Sequence, residues 1–405
     1  MNKMNIKNTL IALVATLGFS VSTVQADSPL YSIDSSNASE YADMLSPGQM
    51  AMFSAYPDTY RMDVYDSSGE CVIPADITAI SQSNGTMIND NEGFEVANAG
   101  QVPFPDPSHP QHYVWNFRMN ASMVSAVYRI ATSANVQADG SIILGQQETN
   151  VTFPRNPNAV SQYADKNIYA MFMQKNLGPP RSAGLVTLVH DFIDSYVQPR
   201  KAWQYNPATR RVRRAPDITY DTVLAAGGGI VVVDQFGGFN GAQDKYDWSY
   251  EGSKQMLVPM GNDALADNAI ETTHTVNHLN PDYVRYEART VDIVHAQLKP
   301  GQRHIYESRT MYFIDDDFTQ LALQDMYDGA GNLMRHYLGT TIRGVGGTGA
   351  DQCAYQGEYT FDFATRTYTG NNMLGSAFSP VSTVYNGEEK PASFYTPDGL
   401  RRYAR

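Results

Sequence analysis

The clearest pattern in the chain is a series of extended runs and short breaks between Val284 and Thr341. Val284–Ala296 is one long run, closed by Lys299-Pro300-Gly301. His304–Ile314 returns to Asp315-Asp316-Asp317. Phe318–Tyr327 runs out to Asp328-Gly329-Ala330-Gly331, and Asn332–Thr341 comes back. Consecutive strands joined by Gly, Asp and Pro turns predict an antiparallel meander. Tyr355–Phe363 and Arg366–Tyr368 repeat the theme weakly. Regular strand–helix alternation is missing, which argues against a parallel α/β sheet.

The first half reads more unevenly. Tyr60–Tyr65 and Val127–Thr132 have strand character, and Ala138-Asp139-Gly140-Ser141 is a turn leading into Ile142-Ile143-Leu144. Ala202-Trp203-Gln204-Tyr205, the turn Asn206-Pro207-Ala208-Thr209 and the return Arg210–Arg214 spell a hairpin, with Pro setting φ in the turn. Three helices are predicted. Ser39–Leu45 is short and stopped by Pro47-Gly48. His112–Met119 follows the Pro-rich connection Gln101–Pro110. Ala159–Gln174 places Val160, Tyr163, Ile168, Met171 and Phe172 at ragged helical spacing. From about residue 376 the chain reads as an irregular tail.

The N-terminus changes the compartment. Lys3 and Lys7 precede the apolar run Leu10–Phe19, and Val24-Gln25-Ala26 offers small residues where a signal peptidase reads. Residues 1–26 are therefore expected to be an export signal cleaved after Ala26. The apolar run is shorter than the roughly 20 residues a bilayer span needs. The mature chain is expected in the periplasm, as one domain over residues 27–405. Its 27 basic and 42 acidic residues give a net charge of −15 once the two leader lysines are removed. That balance argues against nucleic acid, and against an anionic membrane surface as a partner of the chain as a whole. The chain has 26 Tyr against 16 Phe, which suits half-wet sheet surfaces. Its two cysteines, Cys71 and Cys353, are expected to pair in an oxidising compartment.

Little in the sequence reads as catalysis. The glycines 227–229, 237–238 and 241 lack the Lys-Ser/Thr ending of a phosphate loop and the spacing of a dinucleotide site. They read as a mobile or tight loop beside a cavity. Asp315-Asp316-Asp317 has no calcium-loop pattern and is read as a turn. His274 and His278 lack the Glu of a zinc-hydrolase motif and are read as structural or solvated. A Gly-x-Ser-x-Gly elbow is also missing. No catalytic residue, metal ligand or cofactor is assigned. Trp203 and Tyr205, and Trp248 and Tyr250, stand two apart, so each pair shares a sheet face. Arg210, Arg211, Arg213 and Arg214 form a basic island in an acidic chain, a candidate surface for docking an acidic partner or an anionic head group.

Several short motifs carry a resemblance. They include Pro103-Phe104-Pro105, Trp115-Asn116, Pro179–Gly184, Trp203–Pro207 with Arg210–Pro216, and Tyr220-Asp221. Phe239-Asn240-Gly241, Tyr246-Asp247-Trp248, Asn280-Pro281, Arg285-Tyr286-Glu287, Lys299–Tyr306 and Tyr327-Asp328 follow. Over roughly residues 103–338 the chain resembles the bacterial exported family called domain of unknown function 1329. It departs from the pattern at Met260, Ala288 and Asp292. The family is similar in fold to the lipoprotein carrier and receptor of the Lol pathway. The resemblance implies a mainly β, α+β fold: a curved antiparallel half-barrel of roughly ten strands, closed by helices over an apolar cavity. Trp203, Tyr205, Trp248, Tyr250, Tyr286 and Tyr312 are the expected cavity wall. The resemblance further implies a carrier of a lipid or other hydrophobic compound. Its partner would be an envelope exporter of the resistance-nodulation-division type or an outer-membrane protein. An exported hydrolase acting on a lipid or polymer is the competing reading.

Overall fold

The computed structural model describes residues 28–73, 87–88, 94–95, 102–120, 125–154, 167–193, 198–215, 220–224, 227–316, 319–343, 353–373, 384–385 and 389–405. The expected export signal, the first part of the helix expected from Ala159, and Asp317 lie outside these residues.

Two antiparallel meanders make up most of the chain. The first runs through β5 (Ala126–Val136), β6 (Ile142–Thr152), β7 (Ile168–Gly178), β8 (Val186–Phe192), β9 (Lys201–Asn206) and β10 (Arg211–Arg214). The second runs through β12 (Arg285–Leu298), β13 (Ser308–Ile314), β14 (Gln320–Tyr327), β15 (Leu333–Arg343), β16 (Cys353–Asp362) and β17 (Thr367–Met373). A single seam joins them, where Tyr368 pairs Val136 and Gly370 pairs Ala134. β1 (Tyr31–Ile33) and β2 (Met62–Tyr65) extend the far edge, with β2 parallel to β12. β11 (Tyr246–Pro259) lies along the whole of β12, and β18 (Val384–Tyr385) pairs with β5. The result is one open sheet of sixteen strands, beginning at β1 and ending at β10. A separate ladder joins β3 (Met87–Ile88) and β4 (Phe94–Glu95). Register shifts interrupt several ladders, among them Tyr250/Gly252, Tyr312/Phe313 and Ile168/Ala170. Such bulges bend strands, and the sheet curves into the expected half-barrel.

Helices cover both faces. They are α1 (Pro47–Ala55), α2 (Pro110–Asn120), the short α3 (Asp263–Asp267) and α4 (Ile270–Thr273), and α5 (Pro397–Tyr403). Adjacent strand residues point to opposite faces. Met311 and Phe313 pack with Val114 and Phe117 of α2, while Tyr312 and Ile314 share a core with Met52 and Phe53 of α1. In the first meander, Val151 and Ala170 pack with Trp115 and Met119 of α2. Met171 and Met173 face the other way, onto Tyr395 and Leu400 of the C-terminal segment.

Three expectations are corrected and one is extended. Ile168–Gln174 is strand β7, not helix; most of its residues are buried, so the alternation that marks a half-exposed strand is lost. The expected short helix forms as a 3-10 helix over Ala38–Met44 and ends before Pro47, which has a second, unexpected role. Pro47 opens α1, capped by Ser46, whose side chain accepts from Gln49 N–H while the Gln49 side chain caps in return. The sheet has sixteen strands where roughly ten were expected. The chain end is not irregular throughout, since α5 buries Leu400 and the preceding Tyr395.

The disulfide forms as expected. Cys71 and Cys353 are bonded with Cα atoms 5.4 Å apart across 282 residues of sequence. It pins the segment after β2 to the start of β16, and Asp316 accepts from Cys71 N–H at 3.2 Å. Replacing Cys353 with Ala should cost about 2–5 kcal/mol by freeing a long loop of the unfolded chain. Urea unfolding without reductant reads this. An unchanged midpoint would show that the bond contributes nothing to stability.

Candidate functional site

The loop from Val233 to Gly241 is the interior filling of the half-barrel. It inserts Asp234 and Gln235 into the α2 side of the sheet, where both are buried. Asp234 Oδ2 accepts from Arg309 Nη2 at 2.6 Å and lies 3.2 Å from His304 Nε2. The backbone N–H of Tyr306 donates to His304 Nδ1 at 3.0 Å, so Nε2 carries the proton that faces Asp234. The Arg309 guanidinium lies among the rings of Tyr306, Phe239 and Tyr246 at 5.0, 5.3 and 5.5 Å. Tyr306 OH donates to Gln235 Oε1 and accepts from Arg335 Nη1, which belongs to a guanidinium paired with Asp362. Burial alone would push the Asp234 carboxyl up, but Arg309 and His304 outweigh it and hold it below the usual carboxylate range.

The rest of the loop is clamped by its backbone. Arg200, itself paired with Asp191, donates to Asn240 O at 3.0 Å. Arg118 donates to Gly241 O at 3.3 Å. Gln324 donates to Gly238 O, and the N–H groups of Gly237 and Gly238 converge on Glu358 Oε2. Gly238 has φ +83°, and a Cβ there would come within 3.0 Å of Leu321 and Tyr337. Around Gly237–Gly241 the expected alternative of a tight turn holds, packed into the interior. Both ring nitrogens of His304 are engaged, while Asp234 Oδ1 and Arg309 Nε and Nη1 are buried without a hydrogen bond.

A second buried pair lies under α1. His336 Nδ1 donates to Asp325 Oδ1 at 2.7 Å, while Gly48 N–H and Tyr312 OH donate to Asp325 Oδ2. His336 Nε2 is buried without a hydrogen bond. It borders a cavity of about 10 Å³ lined by Tyr60, Arg61, Leu279, Pro281, Val284, Tyr286, Leu338 and Phe361. That volume is of the order needed for one water. The lining contains no serine, threonine or cysteine, so the Asp–His pair faces no hydroxyl or thiol nucleophile of those types there.

The six aromatic residues expected to wall one cavity are distributed over both faces. Trp248 and Tyr250 lie on the α2 side: Trp248 donates to Gln243 O at 2.9 Å, and Tyr250 stacks on Tyr113 and donates to Asp292. Tyr312 and Tyr286 are buried in the core with α1, where Tyr286 OH meets Tyr60 OH at 3.3 Å. Trp203 and Tyr205 share the opposite face at the β10 end of the sheet. There they pack with Ile168, Met173, Val186 and Leu188 under Tyr395 and Leu400. Polar contacts of this cover include His190 to Tyr395 O at 2.8 Å, Thr152 to Tyr395 OH at 2.9 Å, and Asn150 to Tyr403 OH at 3.2 Å. Arg210, Arg211, Arg213 and Arg214 are exposed along β10 and its turn. His274 and His278 are both buried; His278 bonds Thr59 and Leu279 O, which makes it structural and not solvated. Asp315 and Asp316 sit at the strand turn, with Asp316 3.8 Å from Arg289.

The motif pieces Phe239-Asn240-Gly241, Tyr246 and His304–Tyr306 thus meet around one interior clamp. The chain belongs to the family described as protein of unknown function (DUF1329), whose model matches residues 32–401. The uncharacterized protein PA3922 of Pseudomonas aeruginosa is 35% identical over 403 residues, covering 96% of this chain and 85% of that protein. Three solved structures are similar at low identity. A putative outer membrane lipoprotein-sorting protein domain from Vibrio parahaemolyticus has 9% identity, covers 69% of this chain and 92% of its own, and gives a TM-score of 0.47. A DUF1329 family protein from Desulfovibrio piger has 12% identity, coverage of 70% and 94%, and a TM-score of 0.48. The LolA superfamily protein NE2245 from Nitrosomonas europaea has 10% identity, coverage of 68% and 91%, and a TM-score of 0.40. Among the described residues, no helix is long and apolar enough to cross a membrane.

Two stability predictions follow from the buried charges. Asp234→Ala leaves Arg309 unpaired in the interior and should cost about 3–5 kcal/mol, part of which Arg309→Met should restore in the double variant. Equal unfolding midpoints for wild type and Asp234→Ala would refute the clamp. Burial lowers the His274 pKa from 6.5 to about 4. The unfolded chain then takes up a proton before the folded one. This contribution is complete above pH 6.5 and falls as pH drops toward 4, by about 3 kcal/mol in all. His274→Gln should flatten that slope in unfolding measured across the window.

Proposed function

We propose that this protein is a periplasmic carrier for a lipid or another hydrophobic compound, working with an envelope transport complex or an outer-membrane protein. The observation that carries this reading is the apolar face at the β10 end of the sheet. Met173, Val186, Leu188, Trp203 and Tyr205 form it, and its cover is the short C-terminal segment ending in α5.

The physical argument starts from volume. Ligand sites for small molecules occupy about 300–1,000 Å³, and the cavity beside His336 is about 10 Å³. The site proposed here is therefore placed under the C-terminal cover, where a cargo would take the place of that segment. α5 has seven residues. Isolated helices shorter than about 12–15 residues are marginal in water, so α5 owes its fold to docking and can leave with it. The α2 side is harder to open, because its filling loop is held by buried ion pairs. Export follows from the leader-like pattern of residues 1–26, and the disulfide suits an oxidising compartment. The hydrolase reading has no comparable support: the Asp325–His336 pair faces a water-sized space lined without serine, threonine or cysteine.

Protein purified from its host should carry lipid that native mass spectrometry and extraction reveal. Trp203→Glu should reduce the retained lipid severalfold by placing a charge on the apolar face. Leu400→Ala should act in the opposite direction on binding of an apolar fluorescent probe. Loss of a buried leucine weakens packing by about 2–5 kcal/mol, and here it would loosen the cover while leaving the face intact. A Trp203→Glu protein with unchanged lipid content would refute the placement of the site. Turnover of ester or glycoside substrates by the purified protein would favour the hydrolase.

A further inference from the structure

Two arginine groups far apart in sequence border the same edge of the sheet. Strand β10 is the last of the sheet, and its four arginines are exposed. α5 packs against β8, β9 and β10. It brings Arg401 and Arg402, with Arg405 just beyond, all three exposed. Among the described residues, the one ion pair recorded for these arginines is Arg401 with Asp398, at 3.0 Å between two exposed side chains. Arg402 reaches Ser393 O at 3.1 Å. The chain as a whole has a net charge of −13.

We propose that this edge docks on the surface of an anionic phospholipid bilayer. Three features favour a bilayer over an acidic protein. Arg211 and Arg213 alternate with Val212 along β10, while Arg214 points to the other face, so the charge is spread over both sides of the edge. A flat anionic surface meeting the sheet edge-on can use both sides, whereas a groove for an acidic peptide would select one. α5 turns Leu400 into the sheet, leaves Tyr403 and nearby Phe394 half-buried at its rim, and points its arginines outward. Such aromatic rings suit the boundary between apolar and polar layers. Finally, an acidic body is repelled by an anionic surface, so a basic edge fixes the orientation of approach.

The proposal goes beyond the carrier reading and stands without it. If both hold, docking places the α5 cover against the lipid, where a hydrophobic cargo would enter or leave.

Co-sedimentation with vesicles of pure phosphatidylcholine and of mixed phosphatidylcholine–phosphatidylglycerol tests the docking. Wild-type protein should bind the anionic vesicles and not the neutral ones, and raised salt should release it. Arg211→Glu/Arg213→Glu and Arg401→Glu/Arg402→Glu/Arg405→Glu should each weaken binding about tenfold or more. Matching circular dichroism spectra would show that both variants are folded. Binding that ignores lipid charge, or survives both sets of changes, overturns the proposal. So does absence of vesicle binding with capture of an acidic protein instead. Lipid content is measured on the same preparations: empty protein that still docks counts against the carrier reading alone, and loaded protein that does not dock counts against this proposal alone.

Discussion

An open sheet with two apolar faces has to cover both of them, and most of this structure answers that constraint. A closed barrel hides one face inside itself. This sheet begins at β1 and ends at β10 without closing, so each face needs its own cover. α2 and the Val233–Gly241 loop cover one face; α1, with the core around Met256 and Leu323, and the C-terminal segment cover the other. The seam between β17 and β5 makes this a single problem, because it fuses two meanders whose faces then run on continuously.

The two faces are covered by different chemistry. The interior loop brings a carboxylate to a buried guanidinium and hangs its carbonyls on two more arginines. Aromatic rings around Arg309 add cation–π contacts in a place where water is excluded. The C-terminal cover relies on apolar contact, a few hydrogen bonds and the Lys175 ammonium over the Tyr403 ring, and the arginines of α5 face outward.

Much of the architecture was legible in the sequence because it is local. Gly, Asp and Pro punctuation marks the meander turns, and Asn206-Pro207 marks the β9–β10 hairpin. The cysteine pair was legible from the compartment. β7 was misread because it is buried on both faces for much of its length, which erases the period-two signal and leaves Ile168, Met171 and Phe172 at helix-like spacing. The start of α1 was missed although Ser46-Pro47-Gly48-Gln49 spells a capping box. For the candidate site, the sequence correctly paired Trp203 with Tyr205 and Trp248 with Tyr250 on shared faces. It did not reveal that the two pairs lie on opposite faces, because that depends on bulges and on the long-range order of strands. The joining of the β10 arginines to those near the C-terminus is hidden for the same reason.

The difference between the covers also decides which can move. Opening the interior loop separates Asp234 from Arg309, and an uncompensated buried charge costs about 3–5 kcal/mol. It also breaks the links through Gln235, Gly238 and Glu358 together. Lifting the C-terminal segment breaks hydrogen bonds from Asn150, Thr152 and His190, worth about 1 kcal/mol each, and the Lys175–Tyr403 contact, but among the described residues it separates no buried ion pair. What remains to be compensated is the apolar face under Tyr395 and Leu400. In the proposed carrier, a hydrophobic cargo would supply that compensation where water does not, so cargo and cover would compete for one surface. In the carrier reading, the cover that yields is therefore the one at the chain end, which is held mainly by apolar contact and not by buried ion pairs.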